Sequence, residues 1–169
     1  MILALNGSLR TASANHLVLL HLRAATNPPR AIALGPSLDT LPHFNPDLDV
    51  EPAPPAVRSL RTQIAQAHGL LICTPEYTFS IPGSLKNALD WLVSSGSLYE
   101  KRVAVVATST SKGEKVLAAL GDVLRAHQAQ IVAQVALHPA EARSDLAGDA
   151  APHSGTARAL NGVLAAFGA

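Results

Sequence analysis

Apolar residues along the chain fall into two patterns: short unbroken runs, and longer stretches in which they recur every three or four positions. Runs at residues 2–6, 31–34, 69–73, 102–107 and 131–135 predict five strands. The continuous run at 69–73 is that of a central parallel strand covered by helices on both faces. Helical spacing fills the intervals. Ser13 is placed to cap a helix in which Leu17, Leu20 and Ala24 recur, and Asn27-Pro28-Pro29 stops it. A second helix is predicted near residues 56–67. A third, over 84–93, puts Leu85, Ala88, Leu89 and Leu92 on one face before the breaker run Ser94-Ser95-Gly96-Ser97. A fourth carries Val116, Leu117, Leu120, Val123 and Leu124 on its buried side, and a last one runs from about residue 154 to 167. Residues 35–55, rich in Pro, Asp and Asn, read as an irregular connection, and the polar stretch 138–153 reads as another. Strands alternating with helices in this way predict a doubly wound parallel sheet with right-handed crossovers, as one domain over residues 1–169.

Composition narrows the class. Hydrophobic residues make up 48% of 169 and charged residues 15%, enough apolar surface to build a core and too little charge for global disorder. No apolar run is long enough to span a bilayer, so no membrane association is expected. Thirteen Lys and Arg stand against twelve Asp and Glu, and aromatics are only 4%. That balance offers neither a field for a polyanion nor a base-stacking platform, so no nucleic-acid partner is expected. A lone cysteine and an amino terminus, Met1 to Gly7, without a charged lead-in or a long apolar core predict a cytoplasmic protein. The seven histidines show no ligand spacing backed by acids, so no metal site is expected.

In doubly wound sheets ligands bind beyond the carboxyl ends of the strands, where the strand order reverses. Three loops qualify. Residues 7–15 combine small hydroxyl residues with Arg10 and lead into a helix amino terminus, a setting that suits phosphate through free N–H groups, the hydroxyls of Ser8 and Ser13, and the guanidinium. An ordinary capped loop with a surface arginine would look the same, because neither a G-x-G-x-x-G pattern nor a Walker lysine is present. Residues 74–83 carry Tyr77 and Phe79 between prolines that restrict the backbone, so a flat ring can lie there with its polar edge on main-chain N–H groups. The alternative gives these aromatics to the core or to a subunit contact. The third loop, residues 108–113, follows the fourth strand.

Four segments in order carry a resemblance: Gly7-Ser8-Leu9-Arg10 with Ser13 and Asn15; Leu41-Pro42-His43-Phe44-Asn45-Pro46-Asp47-Leu48; Pro75-Glu76-Tyr77; and residues 81–91, Ile-Pro-Gly-Ser-Leu-Lys-Asn-Ala-Leu-Asp-Trp. Over residues 1–135 the chain resembles the NADPH-dependent FMN reductase family, which includes flavin, quinone, azo-dye and chromate reductases. The resemblance implies a flavodoxin-like fold with strand order 2-1-3-4-5 and FMN at the switch between the first and third strands. By matching positions, Ser8, Arg10, Ser13, Ala14 and Asn15 would hold the FMN phosphate. Pro75, Glu76, Tyr77 and Thr78 would line the isoalloxazine ring, mostly through main-chain groups, and Thr108, Ser109, Ser111 and Gly113 would close its other side.

Two positions depart from the family pattern. Thr78 stands where Asn is common, and the loop Thr108-Ser109-Thr110-Ser111-Lys112-Gly113 is poorer in glycine, with Glu114 where a second glycine is frequent. Lys112 fits either a solvated loop lysine or a contact to a nicotinamide 2′-phosphate. Cys73, at the end of an apolar run with no resolving partner, reads as a structural thiol rather than a redox centre, and Trp91 as packing. Lys86 and Asp90, four apart, read as a surface pair or as part of a subunit contact.

The function this implies is hydride transfer from NADPH or NADH through bound FMN to a small acceptor such as a flavin, quinone, azo compound or chromate-like oxidant. The flavin carries the chemistry, no dedicated catalytic acid or base is expected, and the resemblance implies a homodimer or homotetramer. A flavin-binding electron carrier or redox sensor without nicotinamide turnover is the competing reading. Dedicated carriers of this fold resemble strongly acidic proteins that dock on basic partners, whereas this chain is balanced. A doubly wound domain that has lost its cofactor is a third.

Overall fold

A computed structural model describes residues 1–26, 31–146 and 154–168. The helix stop expected at residues 27–29, and residues 147–153 of the second connection, lie outside them. Five parallel strands, β1 (Ile2–Asn6), β2 (Ile32–Leu34), β3 (Gly69–Pro75), β4 (Arg102–Thr108) and β5 (Gln130–Leu137), form one sheet in the order β2-β1-β3-β4-β5. This is the flavodoxin-like order expected from the resemblance. The helices are α1 (Ala14–Ala24), α2 (Pro55–Gln66), α3 (Gly83–Asp90), α4 (Glu114–Ala126), α5 (Pro139–Leu146) and α6 (Gly155–Ala165).

Strand side chains alternate between two cores, as the two-residue period of a strand requires. Leu3, Leu5, Leu70, Ile72, Val103 and Val105 pack with α2, α3 and α4 on one face. Ile2, Ala4, Leu71, Cys73, Ala104 and Val106 pack with α1, α5 and α6 on the other. All seven residues of β3 are buried, which explains why its run is unbroken.

Three expectations are corrected. In α1 the buried stripe is Val18, Leu19 and Leu22, while Leu17 and Leu20 are 38% and 37% exposed. The segment is apolar almost all round, so its spacing supports either stripe, and contact with the sheet selects one. The connection at residues 138–153 contains a helix, α5, which buries only Ala142 and therefore has no apolar stripe to read. Residues 35–55 are irregular apart from two single 3-10 turns, Leu38–Thr40 and Pro46–Leu48, and α3 stops at Asp90, short of residue 93.

The segment 41–48, one of the four that carry the family resemblance, is a strap tied to α3. The Phe44 N–H donates to Asn87 Oδ1 at 2.7 Å, and the Asn87 Nδ2 and Trp91 Nε1 groups donate to the Pro42 carbonyl at 2.9 and 2.8 Å. The Phe44 and Trp91 rings meet edge to face with centroids 5.1 Å apart. Arg61 closes the end of the strap by pairing with Asp49 at 2.7 Å. These two family segments therefore serve the fold, and Trp91, fully buried, is packing as expected.

Candidate functional site: a cleft at the strand-order switch

Parallel registry brings the three loops to one end of the sheet. Asn6 pairs with Cys73 and Pro75 with Thr108, so β1, β3 and β4 finish side by side. Each loop then begins with a bond to the neighbouring strand: Gly7 N–H to Cys73 O at 2.8 Å, Glu76 N–H to Thr108 O at 3.0 Å, and Ser109 N–H to Leu137 O at 3.0 Å. Gly7 has no room for a side chain, since a Cβ there would stand 2.7 Å from Thr74 Oγ1. Between β1 and β3, where the order reverses, lies a cleft of about 270 Å3.

One wall is the first loop, with Ser8, Arg10, Ser13, Ala14 and Asn15. The main-chain N–H groups of Thr11, Ala12, Ala14 and Asn15 have no acceptor among the described residues. Ser13 caps α1 by accepting the His16 N–H at 3.1 Å, and its hydroxyl hydrogen stays available. Arg10 is exposed and in no ion pair among the described residues. Such a set of donors binds an anion.

Asn15 is 1% exposed, and its carbonyl Oδ1 accepts from both Cys73 Sγ at 3.2 Å and Thr108 Oγ1 at 3.0 Å. With that oxygen engaged twice, the amide Nδ2–H2 group is the end left to donate to a ligand. Thr108 thus acts on the site by orienting Asn15. Burial pushes the Cys73 thiol up, which keeps it protonated and unreactive as a nucleophile.

The facing walls are Pro75, Glu76 and Tyr77 on one side and Thr108, Ser109 and Thr110 on the other. The Glu76 carboxylate joins them: Oε2 accepts from the Ser109 hydroxyl and from the Ser111 hydroxyl, the latter at 2.5 Å. Those bonds, first Ser109 and then Ser111, hold its pKa below the usual value, aided by the Val116 N–H and the Lys115 charge. Its other oxygen, Oε1, is buried without a partner among the described residues.

Thr78, Ser111 and Gly113 stand outside the cleft wall. Thr78 and Phe79, at φ 50° and 61°, form the two central residues of a tight turn closed by reciprocal Tyr77–Ser80 bonds of 2.9 Å. Asn tolerates this left-handed backbone far better than threonine, so the departure at position 78 has a backbone meaning and strains the loop. The N–H groups of Glu76 and Tyr77 are taken by Thr108 and Ser80, whereas those of Thr78 and Phe79 have no acceptor among the described residues. Gly113, at φ 73°, begins α4, and a Cβ there would meet Ala136 Cβ at 2.6 Å. Tyr77 and Phe79 are 48% and 57% exposed, so neither belongs to the core, and Lys115 lies 3.9 Å over the Phe79 ring. Lys112 is exposed, and Lys86 and Asp90 pair at 2.6 Å on the surface of α3.

Two residues absent from the sequence reading also line the cleft, Pro139 and Arg143 of α5. Arg143 Nη1 donates to the Ala12 carbonyl of the first loop at 3.0 Å. No pattern in the sequence places α5 beside that loop. Among the described residues there is no metal-binding group of His, Cys, Asp and Glu, and no helix long and apolar enough to cross a membrane.

Comparison with known proteins agrees with this geometry. A flavoenzyme NAD(P)H:(acceptor) oxidoreductase from Paracoccus denitrificans superposes with a TM-score of 0.69 at 30% identity, over 98% of this chain and 93% of that one. The Escherichia coli (strain K12) quinone reductase is 41% identical over 92 residues, 54% of this chain and 49% of its own length. An NAD(P)H-dependent FMN reductase of Pseudomonas aeruginosa is 40% identical over 90 residues, 53% of this chain and 48% of its own. The chain thus spans about half the length of the curated relatives it matches. The family pattern described as NADPH-dependent FMN reductase matches residues 1–142, which takes in all three cleft loops, and it is to this family that the chain belongs.

Proposed function

We propose that the chain is an NAD(P)H-dependent FMN oxidoreductase acting on a small electron acceptor, a quinone, flavin, azo compound or chromate-like oxidant. The observation that carries this reading is the cleft at the strand-order switch, where a wall of anion donors faces a wall shaped by the Pro75-Glu76-Tyr77 loop. The donor set fits FMN. Free N–H groups of the first loop, the Ser8 and Ser13 hydroxyls, the Asn15 side-chain amide NH2 and Arg10 match the oxygens of a phosphate monoester. When bound, FMN supplies hydride acceptance from NAD(P)H and electron delivery to the acceptor. Pro75, Glu76 and Tyr77 line the ring side, and Thr78, in the turn just beyond them, offers with Phe79 main-chain N–H groups for its polar edge. Glu76 fixes the loop of Ser109, Ser111 and Gly113 against them, and Thr108 fixes Asn15. None of these groups is needed as a catalytic acid or base.

The same reading takes residues 1–169 as one domain, working in the cytoplasm as a homodimer or homotetramer. Exposed Tyr77 and Phe79, on the loop that borders the cleft, support a subunit contact there. The test is an anaerobic absorbance titration of the FMN-loaded protein with NADPH and then NADH. Bleaching of the flavin band near one equivalent of donor is expected. A bound flavin that stays oxidised would make the protein a carrier or sensor, and no flavin binding at all would overturn both readings.

A further inference from the structure

We infer that Arg143 is a second phosphate-binding cation of the cleft, delivered by α5 from outside the family's signature loops. The inference rests on the FMN reading above. A phosphate monoester carries about −1.5 to −2 charges at neutral pH, and one guanidinium leaves about half of that uncompensated. Arg10 and Arg143 line the same cleft, one from the first loop and the other from α5.

The placement follows from packing. Ala142 is fully buried among residues of α1, α6 and the sheet, so it fixes the rotation of α5, and the next residue falls at the boundary with the first loop. There the Arg143 Nη1–H bonds the Ala12 carbonyl at 3.0 Å, which anchors the head group beside Ser13. A guanidinium has five N–H donors, and this bond uses one. Among the described residues Arg143 is in no ion pair; Asp145, on the same helix, is engaged with the Thr156 N–H at 3.3 Å. Among the described residues nothing else takes its remaining N–H groups, which suit an oxyanion in the fork geometry by which arginine pairs with phosphate.

The experiment compares dissociation constants for FMN and for riboflavin, which lacks the phosphate, by quenching of flavin fluorescence at low and moderate salt. Arg143→Ala, Arg143→Gln and Arg143→Lys are measured beside the unmodified chain, with melting temperatures to show that each is folded. Direct phosphate pairing predicts FMN binding weakened about tenfold in the Ala and Gln variants, about 1.4 kcal/mol, with Lys in between. Riboflavin binding stays unchanged, and the salt dependence of FMN binding becomes shallower. Gln keeps a donor for the Ala12 carbonyl without the charge. If Gln binds FMN like the unmodified chain while Ala does not, Arg143 only ties the loop, and the phosphate role is overturned. Unchanged FMN affinity in both variants overturns it as well. Failure of the unmodified chain to bind either flavin would instead remove the FMN reading, and this inference with it.

Discussion

At Glu76 one carboxylate holds two hydroxyls of the loop after β4. The loop after β4 is rich in serine, and serine hydroxyls without a fixed acceptor would leave it free to move. Glu76 Oε2 binds both Ser109 and Ser111, so the charge sets the loop's shape. The two hydroxyls, in that order, lower the carboxyl pKa from its ordinary value of 4.5. A carboxylate depressed in the folded state stabilises it fully above the unfolded value, and that contribution disappears as pH falls through the folded one. Glu76→Gln should therefore melt below the unmodified apoprotein at pH 7. The gap should stay constant down to about pH 4.5 and close in more acid solution. A gap independent of pH across this range would show that the charge is not what holds the loop.

Among the elements, legibility in the sequence followed apolar contrast. β3 and β4 announce themselves because both faces are covered, and the α2 to α4 helices because each has one buried stripe. α1 is legible as a helix but not in phase, since leucines occupy both sides, and α5 is invisible because a single alanine is its whole buried face. The site was legible where main-chain chemistry dictates residue type, at Ser8, Ser13 and the Pro75-Glu76-Tyr77 loop. Arg143 was not, because its place depends on how α5 packs, which no local pattern encodes. The strap shows the opposite error of emphasis: a strong family segment, 41–48, whose partners are Asn87 and Trp91 rather than the cleft. Asn87→Ala leaves the Phe44 N–H without its acceptor and should cost about 1–3 kcal/mol of stability. Denaturant unfolding should show that loss while FMN affinity stays within about twofold. A large fall in affinity with stability intact would place the strap in the binding machinery instead.

For the molecule as a whole, the sheet needs a cover on both faces, and the two covers are built differently. One comes from α2, α3 and α4, which lie between successive strands in the chain. The other joins α1 to α5 and α6, which follow the last strand, so the core beneath β1, β3 and β4 is closed only when the end of the chain docks. α6 lies beyond residue 142, where the family pattern stops, yet Leu160 is fully buried and Val163 is 3% exposed. Arg102 Nη2 at the start of β4 also donates to the Ala166 carbonyl at 2.6 Å, tying the end of α6 to the sheet. Leucine and valine side chains contribute about 1.5–3 kcal/mol each when fully buried, so these two supply about 3–6 kcal/mol. Set against a typical domain stability of about 5–15 kcal/mol, that is enough to decide whether the fold persists. A chain ending at residue 146 should lose its cooperative thermal transition and bind a hydrophobic dye, with helix content retained in part, as in a collapsed state with loose packing. If the shortened chain instead melts cooperatively near the temperature of the full one, the second cover is complete without α6, and the docking of the chain's end is not what closes the core.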